Sequence, residues 1–146
     1  MILDGVKATG DVSIINARTG EVLETKNTVL TLGKEWMAQR CTGEASSLVT
    51  HLAVGTSTTA VAVGQTALIA ENARVALNAA GAVKPTNKNV MRFEATFNAG
   101  VGTGALTEAG LFTAASAGTC VARTVFSVKN KGADDIFTVV WEITIN

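Results

Sequence analysis

The side chains most capable of chemistry are few in this sequence and lie far apart. His51 is the only histidine, and no serine and aspartate stand with it in an arrangement that indicates a nucleophilic triad. A catalytic or metal-binding histidine needs partners that orient it, so we expect His51 to be structural or to lie at the surface. We therefore predict that the chain is not an enzyme and has no catalytic residue, no bound metal and no cofactor.

The two cysteines, Cys41 and Cys120, are widely separated and form no C-x-x-C pair. This spacing indicates neither a zinc site nor a redox-active dithiol. We expect two buried thiols, as in a protein assembled inside a cell, and the sequence leaves a disulfide between them open.

Two loops carry residues that bind phosphate or calcium in other proteins. Gly100 to Gly104 reads G-x-G-x-G, but a phosphate-binding loop must open a helix, and the residues from Thr107 to Phe112 have no helical stripe. Asp134 and Asp135 are adjacent acids without the alternating oxygen ligands of a calcium loop. We interpret the first segment as a hairpin loop and the second as part of a turn.

One pair of opposite charges is placed to meet across two strands. Glu108 and Arg123 lie on consecutive predicted strands at nearly opposing positions. This placement predicts a cross-strand ion pair, worth at most about 1 kcal/mol if it is exposed.

Three apolar, β-branched runs must position that pair. They cover Leu106–Thr113, Cys120–Val128 and Ile136–Ile145, and turn-rich segments separate them. Such runs predict antiparallel hairpins in sequence, a β-meander. In the third run the apolar residues on one face alternate with mostly polar residues, as in a strand with one buried face. The face predicted to be buried consists of Phe137, Val139, Trp141, Ile143 and Ile145.

The earlier part of the chain predicts a hairpin, one helix and three further strands. Arg18-Thr19-Gly20 is a tight-turn signal, and Asn27-Thr28 marks an expected bend in the second strand. The predicted segments are strands at 11–17, 21–30, 48–55, 74–77 and 89–98, a helix at 32–41 and one helical turn at 66–72. The helix is expected to start at Thr31 as N-cap, to stop at Thr42-Gly43 and to anchor on the sheet through Trp36. Its predicted buried face consists of Leu32, Trp36, Met37 and Cys41.

Length and composition indicate one domain of the all-β class. The 146 residues are rich in small and β-branched types. We predict an antiparallel β-sandwich or jelly-roll-like barrel of roughly eight strands with one short α-helix, spanning residues 1–146, with residues 1–10 as an N-terminal arm. No apolar run is long enough for a membrane span, and the first ten residues lack the apolar core of a secretion signal.

Charge and aromatic content narrow the classes of partner. The 12 basic and 12 acidic residues cancel and form no run, which argues against binding nucleic acid or an anionic membrane. Aromatic residues make up 5% of the chain and there is no tyrosine, which weakens a sugar-binding prediction. Only 16% of residues are charged and the mean hydropathy is +0.31, so we expect partners to cover part of the surface, including copies of the chain in a homo-oligomer.

Several short phrases of the sequence carry a resemblance. They are His51–Thr56 followed by Gly64–Leu68, then Leu106–Phe112, then Ala122–Phe126 with Asn130–Asp134. In this order they resemble a family of small virion structural proteins of tailed bacteriophages, and the resemblance covers residues from Ala38 to the C-terminus. Members are head decoration (cement), tail-associated or tail-fibre proteins.

The resemblance implies a structural role in a virion assembled in the host cytoplasm, with no catalytic residues to transfer. The first expectation is a capsid decoration or cement subunit that bridges neighbouring major capsid proteins. The alternative is a tail, baseplate or tail-fibre-associated protein that contacts other tail proteins. From a different class, a carbohydrate-binding attachment module is the third hypothesis.

Four apolar residues lack an evident role in the core and are the candidate partner contacts. Ile2 and Leu3 lie in the N-terminal arm, and Val61 and Val63 lie in a long loop of small residues. Each could reach a neighbouring subunit, or could belong to an ordinary terminus or loop.

Overall fold

The chain forms a strongly curled antiparallel sheet with one helix, as seen in a computed structural model that describes residues 5–44, 46–79 and 88–146. The strands within these residues are β1 (Ala8–Asn16), β2 (Val22–Val29), β3 (His51–Gly55), β4 (Glu71–Ala76), β5 (Val90–Phe97), β6 (Gly104–Phe112), β7 (Cys120–Lys131) and β8 (Phe137–Ile145). The helix α1 (Thr31–Thr42) lies between β2 and β3 in sequence. The predicted all-β class with one short helix is confirmed.

The strands follow the order β4-β3-β6-β7-β2-β1-β8-β5 and make one nearly closed barrel. Strand β2 joins the two halves, because it pairs with β1 up to Asn27 and with β7 from Thr28 onward. The bend predicted at Asn27-Thr28 is therefore the point at which β2 changes partners. The two end strands approach each other where the amide of Asn78, just after β4, donates to the carbonyl of Glu94 in β5 at 2.8 Å.

The predicted meander is correct for one of its two hairpins. Strands β6 and β7 pair as expected, but β8 pairs with β1 and β5 and not with β7. Strand β7 continues to Lys131, further than predicted, and the short turn after it carries the chain to the other half of the barrel. A sequence pattern gives the period of a strand but not its neighbours, which depend on contacts far along the chain.

The alternation predicted for the last strand fills the barrel. Phe137, Val139, Trp141 and Ile143 are almost completely buried, and Ile145 is partly buried at the barrel end. Because β8 lies between β1 and β5, these side chains meet apolar residues of both neighbours, among them Ile14 and Phe93. Burying each large apolar side chain contributes about 1.5–3 kcal/mol, so this strand carries a large share of the core energy.

The helix packs on the sheet through its first half. A Cβ atom at Gly33 would lie 2.0 Å from the carbonyl oxygen of Val121, so only glycine allows α1 to approach β7 so closely. Trp36 is buried, as predicted, and its indole N–H donates to the carbonyl of Ser47 at 2.7 Å. Cys41 is exposed and its predicted burial is wrong, because the contact is centred one or two turns earlier.

The predicted helix stop is confirmed and the predicted start is not. Gly43 closes α1 in a left-handed conformation with φ 76°. The N-cap is Leu30, which offers no side-chain hydrogen bond, and Thr31 is already helical. The amide of Thr31 instead donates to the carbonyl of Val63 at 2.9 Å, so a neighbouring loop takes over the capping role.

Two further predictions need correction. Residues 66–72 do not form a helical turn, because the chain there is extended or bent and β4 begins at Glu71. The N-terminal arm is shorter than predicted, since β1 already begins at Ala8, while Ile2 and Leu3 lie outside the described residues. No helix in the described ranges has the length and apolarity needed to cross a bilayer.

Candidate functional site

A long loop between β3 and β4 lies across the outer side of the barrel, and we call residues 56–70 the strap. The strap packs on the face of β3, β6 and β7 that is opposite to the main core. Side chains of β3 alternate between the two faces: Leu52 and Val54 belong to the main core, and Ala53 belongs to a smaller cluster. That smaller cluster consists of Leu30, Ala53, Leu68, Phe112 and Cys120, with Val61 against it. Gly110 leaves room for the strap, because a Cβ there would lie 2.9 Å from a methyl carbon of Leu68.

Under the strap, Glu108 and Arg123 form a completely buried ion pair. Oε2 of Glu108 lies 3.0 Å from Nε and 2.8 Å from Nη2 of Arg123. The two residues are diagonal neighbours and not directly opposite, since Glu108 faces Val125 and Arg123 faces Gly110 in the ladder. The small value expected for an exposed pair does not apply, because both side chains are removed from water.

The same ion pair holds the strap at several points. The Glu108 carboxylate accepts hydrogen bonds from the amides of Ala70 (2.7 Å), Ile69 (3.1 Å) and Ser57 (3.3 Å). Glu108 therefore binds both ends of the loop. We call Glu108 and Arg123 together the clasp.

Arg123 holds the middle of the strap. Its guanidinium donates to the carbonyl of Thr59 and to the side-chain oxygen of Gln65, each at 3.0 Å. Gln65 also accepts from the amide of Ala62 and donates to the carbonyl of Ala60, which closes the loop on itself. A buried charge is tolerated when it is paired and hydrogen-bonded in this way.

The electrostatics of the clasp favour the ionised carboxylate. Burial raises the pKa of Glu108, but hydrogen bonds from the amide of Ala70, from Arg123 and from the amides of Ile69 and Ser57 outweigh it, so the pKa lies below its ordinary value. The carboxylate is thus charged at neutral pH and serves as an acceptor only. A group that is ionised and enclosed by donors suits a fixed structural link and not proton transfer.

The thiols differ in their surroundings, and both are free. Cys120 is buried beneath the strap, and removal from water raises its pKa to about 12. It is therefore a protonated, unreactive thiol at neutral pH. Cys41 is exposed on the last turn of α1.

A second polar cluster fixes the turns at one end of the barrel. The buried Lys131 ammonium donates to the carbonyls of Asn98 (2.9 Å) and Asp135 (2.6 Å). Burial lowers the pKa of Lys131, while the nearby Asp135 acts in the opposite sense. The Asp135 carboxylate accepts from the amide of Gly132 and pairs with Arg18 at 2.7 Å, and these donors lower its pKa. Asp135 thus stabilises a turn, and its carboxylate is paired with the guanidinium of Arg18.

The other residues that could do chemistry have structural roles. His51 is partly buried at the start of β3, and its Nδ1 lies 2.8 Å from the hydroxyl of Thr50. Gly100 to Gly104 forms a turn that leads into β6, and no helix follows it. The predicted hairpin loop is wrong, because the turn joins β5, which pairs with β8, to β6, which pairs with β3 and β7. Within the ranges that the structure describes, no group of three or more His, Cys, Asp or Glu side chains is arranged to hold a metal ion.

The four residues predicted to contact a partner are placed differently by the structure. Val61 is partly buried and packs inward on the small cluster, whereas Val63 is 54% exposed at the surface of the strap. Ile69 is also 52% exposed on the strap, a residue that sequence reasoning missed because its neighbours gave no periodic signal. Ile2 and Leu3 cannot be placed, since they lie outside the described residues.

The aromatic side chains form no exposed platform. Both tryptophans and all five phenylalanines of the chain are buried, and the sequence has no tyrosine. Sugar-binding sites usually stack their ligand on an exposed aromatic face. This distribution argues against the carbohydrate-binding hypothesis.

Comparison with known proteins gives one match. The family described as phage tail-collar fibre protein, N-terminal, matches residues 24–144. No curated protein and no solved structure matches the chain. The matched range runs from within β2 to within β8 and so includes the strap, the clasp and α1.

Proposed function

Since the chain belongs to the family of phage tail-collar fibre protein N-terminal domains, we propose that it is a structural module of a phage tail fibre that presents a rigid surface to neighbouring tail proteins. The observation that carries this proposal is the family match over most of the chain. It confirms the resemblance to virion structural proteins. It supports the tail-associated alternative better than the capsid decoration function that was expected first.

The geometry around the strap supports a binding role without catalysis. The titratable groups under the strap have structural roles: Glu108 and Arg123 bind each other and the strap, and Cys120 is a buried thiol. A loop held by a buried ion pair and by five further hydrogen bonds to that pair loses little conformational entropy when a partner binds. The strap is therefore the part of the surface best prepared for contact.

The exposed apolar residues of the strap make the proposed contact an apolar one. Val63 and Ile69 are exposed apolar residues of a loop whose other residues are mostly small or hydroxyl-bearing. In the proposed role, each enters a shallow apolar depression of a neighbouring tail protein. The expected partners are tail proteins and further copies of the chain, and neither nucleic acid nor membrane.

Electron microscopy of assembled particles tests the position. Particles that carry a tag fused to this chain, or that are decorated with an antibody against it, are expected to show the label at the tail. Label distributed over the capsid lattice would overturn the proposal in favour of capsid decoration. Label absent from purified particles would overturn the virion role altogether.

Variants of the strap test the surface. Val63→Asp combined with Ile69→Asp is expected to remove the chain from purified tails, because a charge cannot enter an apolar depression. Val22→Asp is the matched control, since Val22 is also exposed and apolar but lies at the start of β2, outside the strap. Circular dichroism must show the same fold for both. Equal incorporation of the two variants would contradict the role of the strap.

A further inference from the structure

The first turn of α1 has little of the sequence that normally stabilises the start of a helix. Its N-cap is Leu30, whose side chain has no polar atom to accept a hydrogen bond, and no acidic residue lies in the first turn. Gly33 is a poor helix former, and the charge of Lys34 is unfavourable near the positive end of the helix dipole. A helix of 12 residues is marginal by itself, so this end of α1 depends on contacts with other segments.

The strap supplies one of these contacts through its backbone. The amide of Thr31, the first residue of the helix, donates to the carbonyl of Val63 at 2.9 Å. This amide is one of the four at a helix start that cannot find an acceptor within the helix. The strap thus takes the place of a capping side chain.

A second contact is apolar and involves the N-cap residue itself. The Leu30 side chain is completely buried in the small cluster beneath the strap, which also contains Leu68 of the strap. Val61 of the strap packs against the same cluster. The residue that begins the helix therefore loses part of its packing when the strap moves away.

The part of the strap that caps the helix is held in place by the clasp. Arg123 and the amide of Ala62 both donate to the side-chain oxygen of Gln65, at 3.0 and 3.1 Å. The amide of Gln65 donates back to the carbonyl of Ala62 at 3.0 Å, so a closed turn encloses Val63. Glu108 fixes Arg123 and binds both ends of the strap. A continuous set of hydrogen bonds therefore runs from the clasp to the first amide of α1.

We propose that the strap and the first turn of α1 form one conformational unit, in which fixing either element fixes the other. Such coupling is reciprocal, because the same contacts are lost whichever of the two elements moves. One consequence rests on the strap contact proposed above, in which Val63 offers its exposed side chain to a partner and its carbonyl to the helix. A partner that holds Val63 in place stabilises α1 as well.

Amide hydrogen exchange of the full-length chain tests the unit without any partner. Glu108→Gln keeps the size of the side chain and removes the charge of the clasp, and the hydrogen bonds of Glu108 within the described residues go to the strap and to the clasp arginine, not to α1. Exchange at the strap amides of Ile69 and Ala70 is expected to accelerate roughly tenfold or more. Exchange at Thr31 and Lys34 in the first turn of α1 is expected to accelerate with them, while amides of β8 keep their protection.

Thr31→Pro tests the reverse direction. It deletes the N–H that Val63 accepts, yet proline suits the first position of a helix. Leu30 already has the extended conformation, φ −74° and ψ 163°, that a residue before proline adopts. Thr31→Ala is the matched control, because it keeps the N–H. The strap amides of Ala62 and Gln65 are expected to exchange roughly tenfold faster in Thr31→Pro than in Thr31→Ala, while Cα chemical shifts show a helical α1 in both.

Three results would overturn the proposal. The first is faster exchange at Ile69 and Ala70 in Glu108→Gln with unchanged exchange at Thr31 and Lys34. The second is equal exchange of the strap amides in Thr31→Pro and Thr31→Ala. The third is acceleration of amides throughout β7 and β8 by the same factor as in α1, which would mean that the whole barrel is destabilised. Because these measurements need no tail protein, the unit stands or falls separately from the proposed function, which the label in particles and the strap variants decide.

Discussion

Replacement of Glu108 by leucine tests the clasp most directly. The change keeps a side chain of similar size but removes the one carboxylate that contacts the buried Arg123 within the described residues. It also leaves the amides of Ser57, Ile69 and Ala70 without their acceptor. The variant therefore combines an uncompensated buried charge with three orphaned donors.

The magnitude follows from the burial of both partners. Removing one member of a buried, hydrogen-bonded ion pair costs about 3–5 kcal/mol. An orphaned buried amide costs about 1–3 kcal/mol, but the strap can detach and let its amides reach water, which limits the total. We expect a loss of roughly 4 kcal/mol in the free energy of unfolding and a fall of about 10 °C or more in the melting temperature.

A double-mutant cycle with urea denaturation measures the loss and its origin. Glu108→Leu and Arg123→Met are each expected to be strongly destabilising, and the double variant is expected to lose less than their sum because neither charge remains unpaired. Amide hydrogen exchange at Ile69 and Ala70 is expected to accelerate in all three. Lys26→Ala, which breaks an exposed ion pair with Asp11, is the control and should cost less than about 1 kcal/mol.

Two outcomes would refute the reasoning about the clasp. A loss below about 1 kcal/mol for either single variant would mean that the charges are not held out of water as the structure has them. Unchanged protection of the strap amides in the Glu108→Leu variant would mean that other contacts hold the loop.

Three further predictions concern pH, packing and thiol chemistry. The pKa of Glu108 in the folded protein lies below its ordinary value of 4.5. The ionised carboxylate therefore contributes its full stabilisation above pH 4.5, and this stabilisation is lost as the pH falls through the folded-state pKa. Glu108→Gln should for this reason flatten the acid limb of a plot of melting temperature against pH. Gly33→Ala should lower the free energy of unfolding by about 1–3 kcal/mol despite the better helix propensity of alanine, because the new Cβ meets a backbone carbonyl of β7. Gly64→Ala is the control and should change stability little, because a Cβ there meets no atom within 4 Å. Equal melting temperatures of the two variants would contradict this prediction. In the native protein Ellman's reagent should modify Cys41 alone, and Cys120 should react no faster than the chain unfolds. Equal modification rates for the two thiols would show that the strap does not keep the reagent away from Cys120.

Local patterns predicted the parts of the fold that depend on neighbouring residues. The hairpin around Gly20 and the helix stop at Gly43 follow from glycine's access to positive φ, which is 74° and 76° at these positions. The buried face of β8 follows from a period of two residues. The family resemblance likewise rests on short phrases, and the match to residues 24–144 agrees with it.

Properties that depend on distant residues could not be predicted in this way. The sequence placed Glu108 and Arg123 near each other, but nothing in its pattern indicated that residues 56–70 would cover them and remove both charges from water. The same holds for the exposure of Cys41, which depends on how far along α1 the sheet contact extends.

The sequence by itself determined the all-β class, the strand periods, the turns and the virion family of this protein. Only the tertiary structure decided which strands are neighbours, that the strap closes over the clasp, and that α1, β5 and β8 leave an apolar cleft between them. The physical reason is the range of the interactions. Backbone conformation and side-chain alternation are fixed within a few residues, whereas burial of a charge or opening of a cleft depends on segments that meet only after the chain has folded.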